Sequence, residues 1–88
     1  MLYTLSKAQY DQNELQTLLA QITENDAIIL WQDGVLQAVK FPQFFTHISN
    51  LFVLENDLNA RGLRTHFNTI TLTELVKITE KFHPQVAF

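Results

Sequence analysis

The chain contains no cysteine. Disulfides, thiolate metal sites, dithiol redox motifs and any step that needs a sulfur nucleophile or a persulfide carrier are thereby excluded from it. Glycine and proline are nearly as scarce, with two of each, so there is no material for a glycine-rich phosphate loop. Ser6 and Ser49 lack the Gly-x-Ser-x-Gly setting of an exposed nucleophile. The longest apolar run, residues 27–31, falls far short of the roughly 20 residues a membrane span requires. Residues 1–7 lack a basic stretch followed by a long apolar one, the mark of an export signal. The expectation is a cytoplasmic, soluble protein without a membrane partner.

Charge is also in short supply. Charged residues make up 17% of the chain, with six basic against nine acidic and a net charge of −3. The basic residues are scattered, so no stripe suits a phosphate backbone. Apolar residues are plentiful by contrast, at 47%, with seven phenylalanines. Eighty-eight residues form a single domain, residues 1–88, whose folding hides only roughly 60–65% of its unfolded surface. Such an oily, thinly stabilised domain is expected to gain stability by association.

The pattern along the chain alternates between strand and helix. Leu2-Tyr3-Thr4-Leu5 reads as an opening strand. Asp11 with Glu14 resembles a capping box, and Leu15, Leu18, Leu19 and Ile22 then recur at helical spacing. The strand candidate over 26–31 is apolar from Ala27 onwards, as in a strand covered on both faces, and should be central. Asp33 is read as the N-cap of a short helix over 35–40, and Gly34 as a turn residue. Residues 51–54 form the next strand candidate, and 55–61 a short helix that Gly62 ends in the left-handed conformation. Ile70 suggests a brief fourth strand. Thr71 or Thr73 can cap a last helix, Thr71 forming a box with Glu74; its apolar stripe is Leu72, Leu75, Val76, Ile78 and Phe82, with His83-Pro84 as its stop. This order predicts an α/β fold: a small, mostly parallel sheet of about four strands with helices on both faces.

Few residues offer chemistry. His47, His66 and His83 lie far apart in sequence without a His-x-x-x-His pair, so no metal site and no other cofactor are expected. Asp33-Gly34 and Glu55-Asn56-Asp57 follow strands, where open α/β sheets bind ligands, but caps and turns account for them equally well. Arg61 and Arg64 could meet phosphate, as a tRNA- or small-anion-binding module would require, although cations near a helix C-terminus are favourable without any ligand. Trp31 is read as core. Phe41, Phe44 and Phe45 lie in a proline-broken connector and, with Phe88, form the candidate interface.

Three strings carry a resemblance: Leu30-Trp31-Gln32-Asp33-Gly34-Val35, the run Leu54-Glu55-Asn56-Asp57-Leu58-Asn59-Ala60-Arg61-Gly62-Leu63, and His83-Pro84 near an aromatic end. With residues 1–5 they resemble the TusB/DsrH family along essentially the whole chain. The resemblance implies a DsrE/F/H-like α/β fold. It also implies a non-catalytic accessory role in a sulfur-relay complex with TusC-like and TusD-like subunits, a dimer of heterotrimers. Such a complex passes persulfide sulfur through a TusE-like acceptor towards thiolation of the tRNA wobble uridine. Some family members carry a cysteine that this chain lacks, so the resemblance transfers no catalytic residue. Asp33, Gly34, Asp57, Arg61 and Gly62 match family positions and are read as structural first.

Overall fold

The computed structural model describes residues 1–88. Five strands alternate with four helices: β1 (Leu2–Leu5), α1 (Gln12–Gln21), β2 (Ala27–Leu30), α2 (Val35–Lys40), β3 (Leu51–Leu54), α3 (Glu55–Ala60), β4 (Thr69–Ile70), α4 (Leu72–Lys81) and β5 (Gln85–Ala87). The sheet order is β4-β3-β2-β1-β5, and every neighbouring pair is parallel. The sheet thus has five strands rather than about four, because the residues after Pro84 add β5 beside β1.

The order dictates where the helices go. The three connections from β1 to β4 step one way across the sheet, and the connection from β4 to β5 returns past all of them. Right-handed crossovers then put α1, α2 and α3 on one face and α4 alone on the other. The core divides accordingly. One cluster joins Leu15, Leu18 and Leu19 of α1, Val35 and Ala38 of α2 and Leu58 of α3 to Leu5, Ile28, Leu30 and Val53. The second sets Leu75 and Phe82 against Leu2, Ala27, Ile29, Leu54 and Ile70. β2 lies third of five, and its four residues are fully buried, as its unbroken apolar run requires.

Local chemistry sets the helix starts. The Asp11 carboxylate accepts the Glu14 amide at the head of α1. Thr71 and Glu74 form the complete reciprocal box at the head of α4, satisfying two backbone donors that the first turn leaves free. Asp26 fastens the turn into β2: its carboxylate accepts the Thr23 amide and hydroxyl and lies 3.1 Å from the Met1 amino group. The Thr23 amide bond is the main reason its carboxyl is held below the usual value of 3.8, with the amino group adding to the effect and desolvation opposing it.

The apolar stripe of α4 is wider than the seam it buries. Leu75 and Phe82 pack inward, while Leu72 and Val76 are 54% and 57% exposed. Trp31 packs against the α4-side cluster, and its indole nitrogen is buried without a hydrogen-bond partner.

Candidate functional site

Beyond the carboxyl end of β2 the chain makes a tight 3-10 turn over Gln32–Gly34 before α2. Gln32 takes a left-handed φ of 52°, a conformation that costs a non-glycine residue roughly 1–2 kcal/mol. Asp57 on α3 offsets this cost, its Oδ2 accepting the Gln32 amide at 2.6 Å. Arg61, one turn further on at the C-cap of α3, donates from Nε and Nη2 to Asp33 Oδ1 at 3.2 and 2.8 Å. Its Nη1 donates to the Asp57 carbonyl at 3.0 Å and lies 3.7 Å from Oδ1. Asp33, Asp57 and Arg61 therefore form one latch that ties the turn after β2 to α3.

This geometry corrects the sequence reading of Asp33. α2 has Gly34 at its N-cap position and no side-chain cap, and the Asp33 carboxylate faces the Arg61 guanidinium instead. Gly34 lies in the turn, as expected, but the demand for glycine there is one of space. Its φ is −60°, which any residue can adopt, but a Cβ there would lie 1.8 Å from the Leu5 carbonyl oxygen. Gly34 is required by the close approach of this turn to the end of β1, whereas Gly62, at φ +63° with open space around it, is the left-handed helix terminator expected. Replacing Asp57 with alanine should lower stability by about 1–2 kcal/mol, the worth of an amide bond to a charged acceptor at a partly buried site. Urea denaturation followed by circular dichroism measures it, and an unchanged midpoint would show that the latch contributes nothing.

The aromatic residues separate into three settings. Phe45 is fully buried within the α1–α2 core, so it cannot be offered to a partner. Phe41 and Phe44 stack on each other at 5.8 Å, and Phe88 stacks on Tyr10 at 5.4 Å. The Tyr10 hydroxyl accepts the Lys7 amide and donates to the Phe88 carbonyl, while the Phe88 amide donates to the Thr4 carbonyl. Phe41, Phe44 and Phe88 thus have partners within the chain, and the exposed large apolar side chains lie elsewhere, at Met1, Val39, Leu72 and Val76.

His47, His66 and His83 are exposed at separate places, and no group of three or more histidine and acidic side chains converges. Of the two arginines, Arg61 has its charge met by two carboxylates, whereas Arg64 is exposed beside a shallow hollow that also includes Thr65 and His66. Neither the Arg61–Asp33 pairing nor the inward turn of Phe45 was visible in sequence, since each depends on contacts between separate elements. No helix is long and apolar enough to cross a membrane.

Comparison with known proteins gives the chain a family. It is 42% identical to an uncharacterized protein of Haemophilus influenzae over 99% of both chains. It is 34% identical to Protein TusB of Cronobacter sakazakii and 38% identical to Protein TusB of Yersinia pestis, each over the full length of both. The solution NMR structure of Protein Tm0979 from Thermotoga maritima shares its fold, with a TM-score of 0.66 at 24% identity over 91% of this chain and 92% of that one. The pattern described as DsrH like protein matches residues 7–85, and the chain belongs to the DsrH family.

Proposed function

We propose that this protein is a non-catalytic subunit of a sulfur-relay complex, assembled with TusC-like and TusD-like subunits as a dimer of heterotrimers. In this reading the complex hands persulfide sulfur to a TusE-like acceptor for thiolation of the tRNA wobble uridine, in the cytoplasm. The observation that carries it is full-length similarity to proteins named TusB in a chain with no cysteine. Persulfide chemistry needs a thiolate, so the sulfur must travel on the partners, and this subunit contributes shape and surface.

The surface we assign to that assembly is the outer side of α4. This helix covers its face of the sheet alone, and Leu72 and Val76, one turn apart, stand exposed on it. Apolar pairs of this kind, placed on a rigid element, are typical of the core of a subunit interface. Changing both to glutamate should leave the isolated chain within about 0.5 kcal/mol of its original stability, since exposed positions away from special features tolerate substitution. The same change should abolish the hetero-oligomer in native mass spectrometry of the co-expressed subunits, because it buries two unpaired charges. A complex of unaltered stoichiometry would remove α4 from the interface. Failure of the unaltered chain to join those partners at all would overturn the proposed function itself.

A further inference from the structure

On the face of the sheet opposite α4, a recess of about 240 Å³ lies between α2 and the segment that leaves the carboxyl end of β1. Its wall includes Tyr10, Phe41 and Phe44, and the last two rings are stacked nearly parallel, 20° apart. Gln37, which is 1% exposed, also lines it. The Gln37 Nε2 donates to the Ala8 carbonyl at 2.7 Å, fixing the side chain, while its Oε1 accepts no hydrogen bond from any group of the chain. Trp31 Nε1 is the one buried side-chain polar atom sealed away without a partner. Gln37 Oε1 is therefore not sealed, and the opening available to it is this recess. At the rim stands Lys40, exposed, lining the recess and pairing with no carboxylate.

These features do not resemble a leftover packing defect. An apolar void would be lined by aliphatic groups alone, whereas this recess holds an amide oxygen that no group of the chain pairs and that is open to an incoming donor. Here that oxygen is pre-positioned by the bond its own nitrogen makes to Ala8, in a recess that Phe41, Phe44 and the unpaired Lys40 also line. Small-molecule sites combine largely apolar walls with a few fixed polar groups of this sort, and in open parallel sheets they gather near the carboxyl ends of strands. The Tyr10 hydroxyl is occupied by Lys7 and Phe88, so the tyrosine supplies surface rather than a polar contact. We infer that the recess is a binding site for a small monocyclic heteroaromatic anion. The ring would lie along the phenylalanine pair, a ring N–H would donate to Gln37 Oε1, and the anionic group would meet Lys40. The volume accommodates one ring and its substituent.

The test is amide-shift mapping of the ¹⁵N-labelled full-length chain by NMR with three probes. Orotate has the ring, the N–H donors and the carboxylate; benzoate lacks the N–H; uracil lacks the charge. Orotate should give saturable shifts centred on Ala8, Gln37 and Phe41, including the Gln37 side-chain amide. Benzoate should bind at least about tenfold more weakly, the worth of one buried hydrogen bond. Lys40→Gln, at an exposed position, should weaken orotate about fivefold and leave uracil unchanged. Absence of saturable shifts with orotate would overturn the site, as would orotate binding that neither loss of the ring N–H nor Lys40→Gln alters. Either result leaves the subunit reading untouched, because the recess and α4 lie on opposite faces of the sheet.

Discussion

Replacing Gly34 with alanine is expected to lower the thermal midpoint by roughly 15 °C or more. The added methyl would sit 1.8 Å from the Leu5 carbonyl oxygen and 2.6 Å from its carbon. Both are backbone atoms, fixed in the sheet, so no side chain can swing aside. Relief requires the turn over Gln32–Gly34 to lift away from β1. That movement strains the hydrogen bond from the Trp31 amide to the same Leu5 oxygen, 3.2 Å long, and disturbs Val35, which is fully buried just beyond. Overpacking of this severity costs about 3 kcal/mol or more, and each kcal/mol moves the midpoint of a domain this size by about 4–8 °C.

Gly62→Ala is the control. It meets no atom within 4 Å but keeps a φ of +63°, so it should cost only about 1 kcal/mol. Melting curves followed by circular dichroism would compare the two. If Gly34→Ala melts within a few degrees of Gly62→Ala, the close approach to Leu5 is not what demands glycine there.

The comparison of these glycines shows what a sequence can and cannot express. Gly62 follows a short helix, and its role depends on local backbone conformation, so it was legible from its neighbours. Gly34 also looked like a turn residue, but its requirement arises from a strand 29 positions earlier and is one of space. The same division runs through the fold. β1, β2, β3, α1 and α4 were legible because periodicity, caps and unbroken apolar runs are local signals. β5 was not. Gln85–Ala87 has exposed outer positions and follows a proline, and only its register against Leu2, Tyr3 and Thr4 makes it a strand.

The candidate site behaved likewise. Asp33, Asp57 and Arg61 could be singled out, but each was assigned to its own helix end, because their pairing spans 28 residues between Asp33 and Arg61. In the apolar stripe of α4, helical spacing identified the five residues but could not say which of them the sheet would cover. Leu72 and Val76 stay outside because a single flat face can cover only part of a wide stripe.

Phe45→Ala is expected to be the most damaging of the aromatic substitutions, costing about 3–5 kcal/mol. The residues around it explain the contrast with its neighbours. Pro42 opens a 3-10 turn over Pro42–Phe44, and the Phe45 and Ile48 amides then close successive turns onto Pro42 and Phe45 carbonyls. The tight winding sends Phe45 into the core among Leu15, Ala38, Ile48 and their neighbours while Phe41 and Phe44 remain half-buried outside it. Truncating Phe45 removes a fully buried ring and leaves a cavity that α2, pinned by the bond from Gln37 to Ala8, cannot easily collapse to fill. Phe44→Ala should cost about 1–2 kcal/mol, in proportion to the smaller area it hides.

For a chain of this length total stability is roughly 4–13 kcal/mol, so Phe45→Ala consumes much of it. Urea titration of the three single variants, Phe41→Ala, Phe44→Ala and Phe45→Ala, reads this directly. The core assignment requires Phe45→Ala to have much the lowest midpoint. Equal losses at positions 44 and 45 would mean that the connector is held by its aromatic stack rather than by one ring anchored in the core.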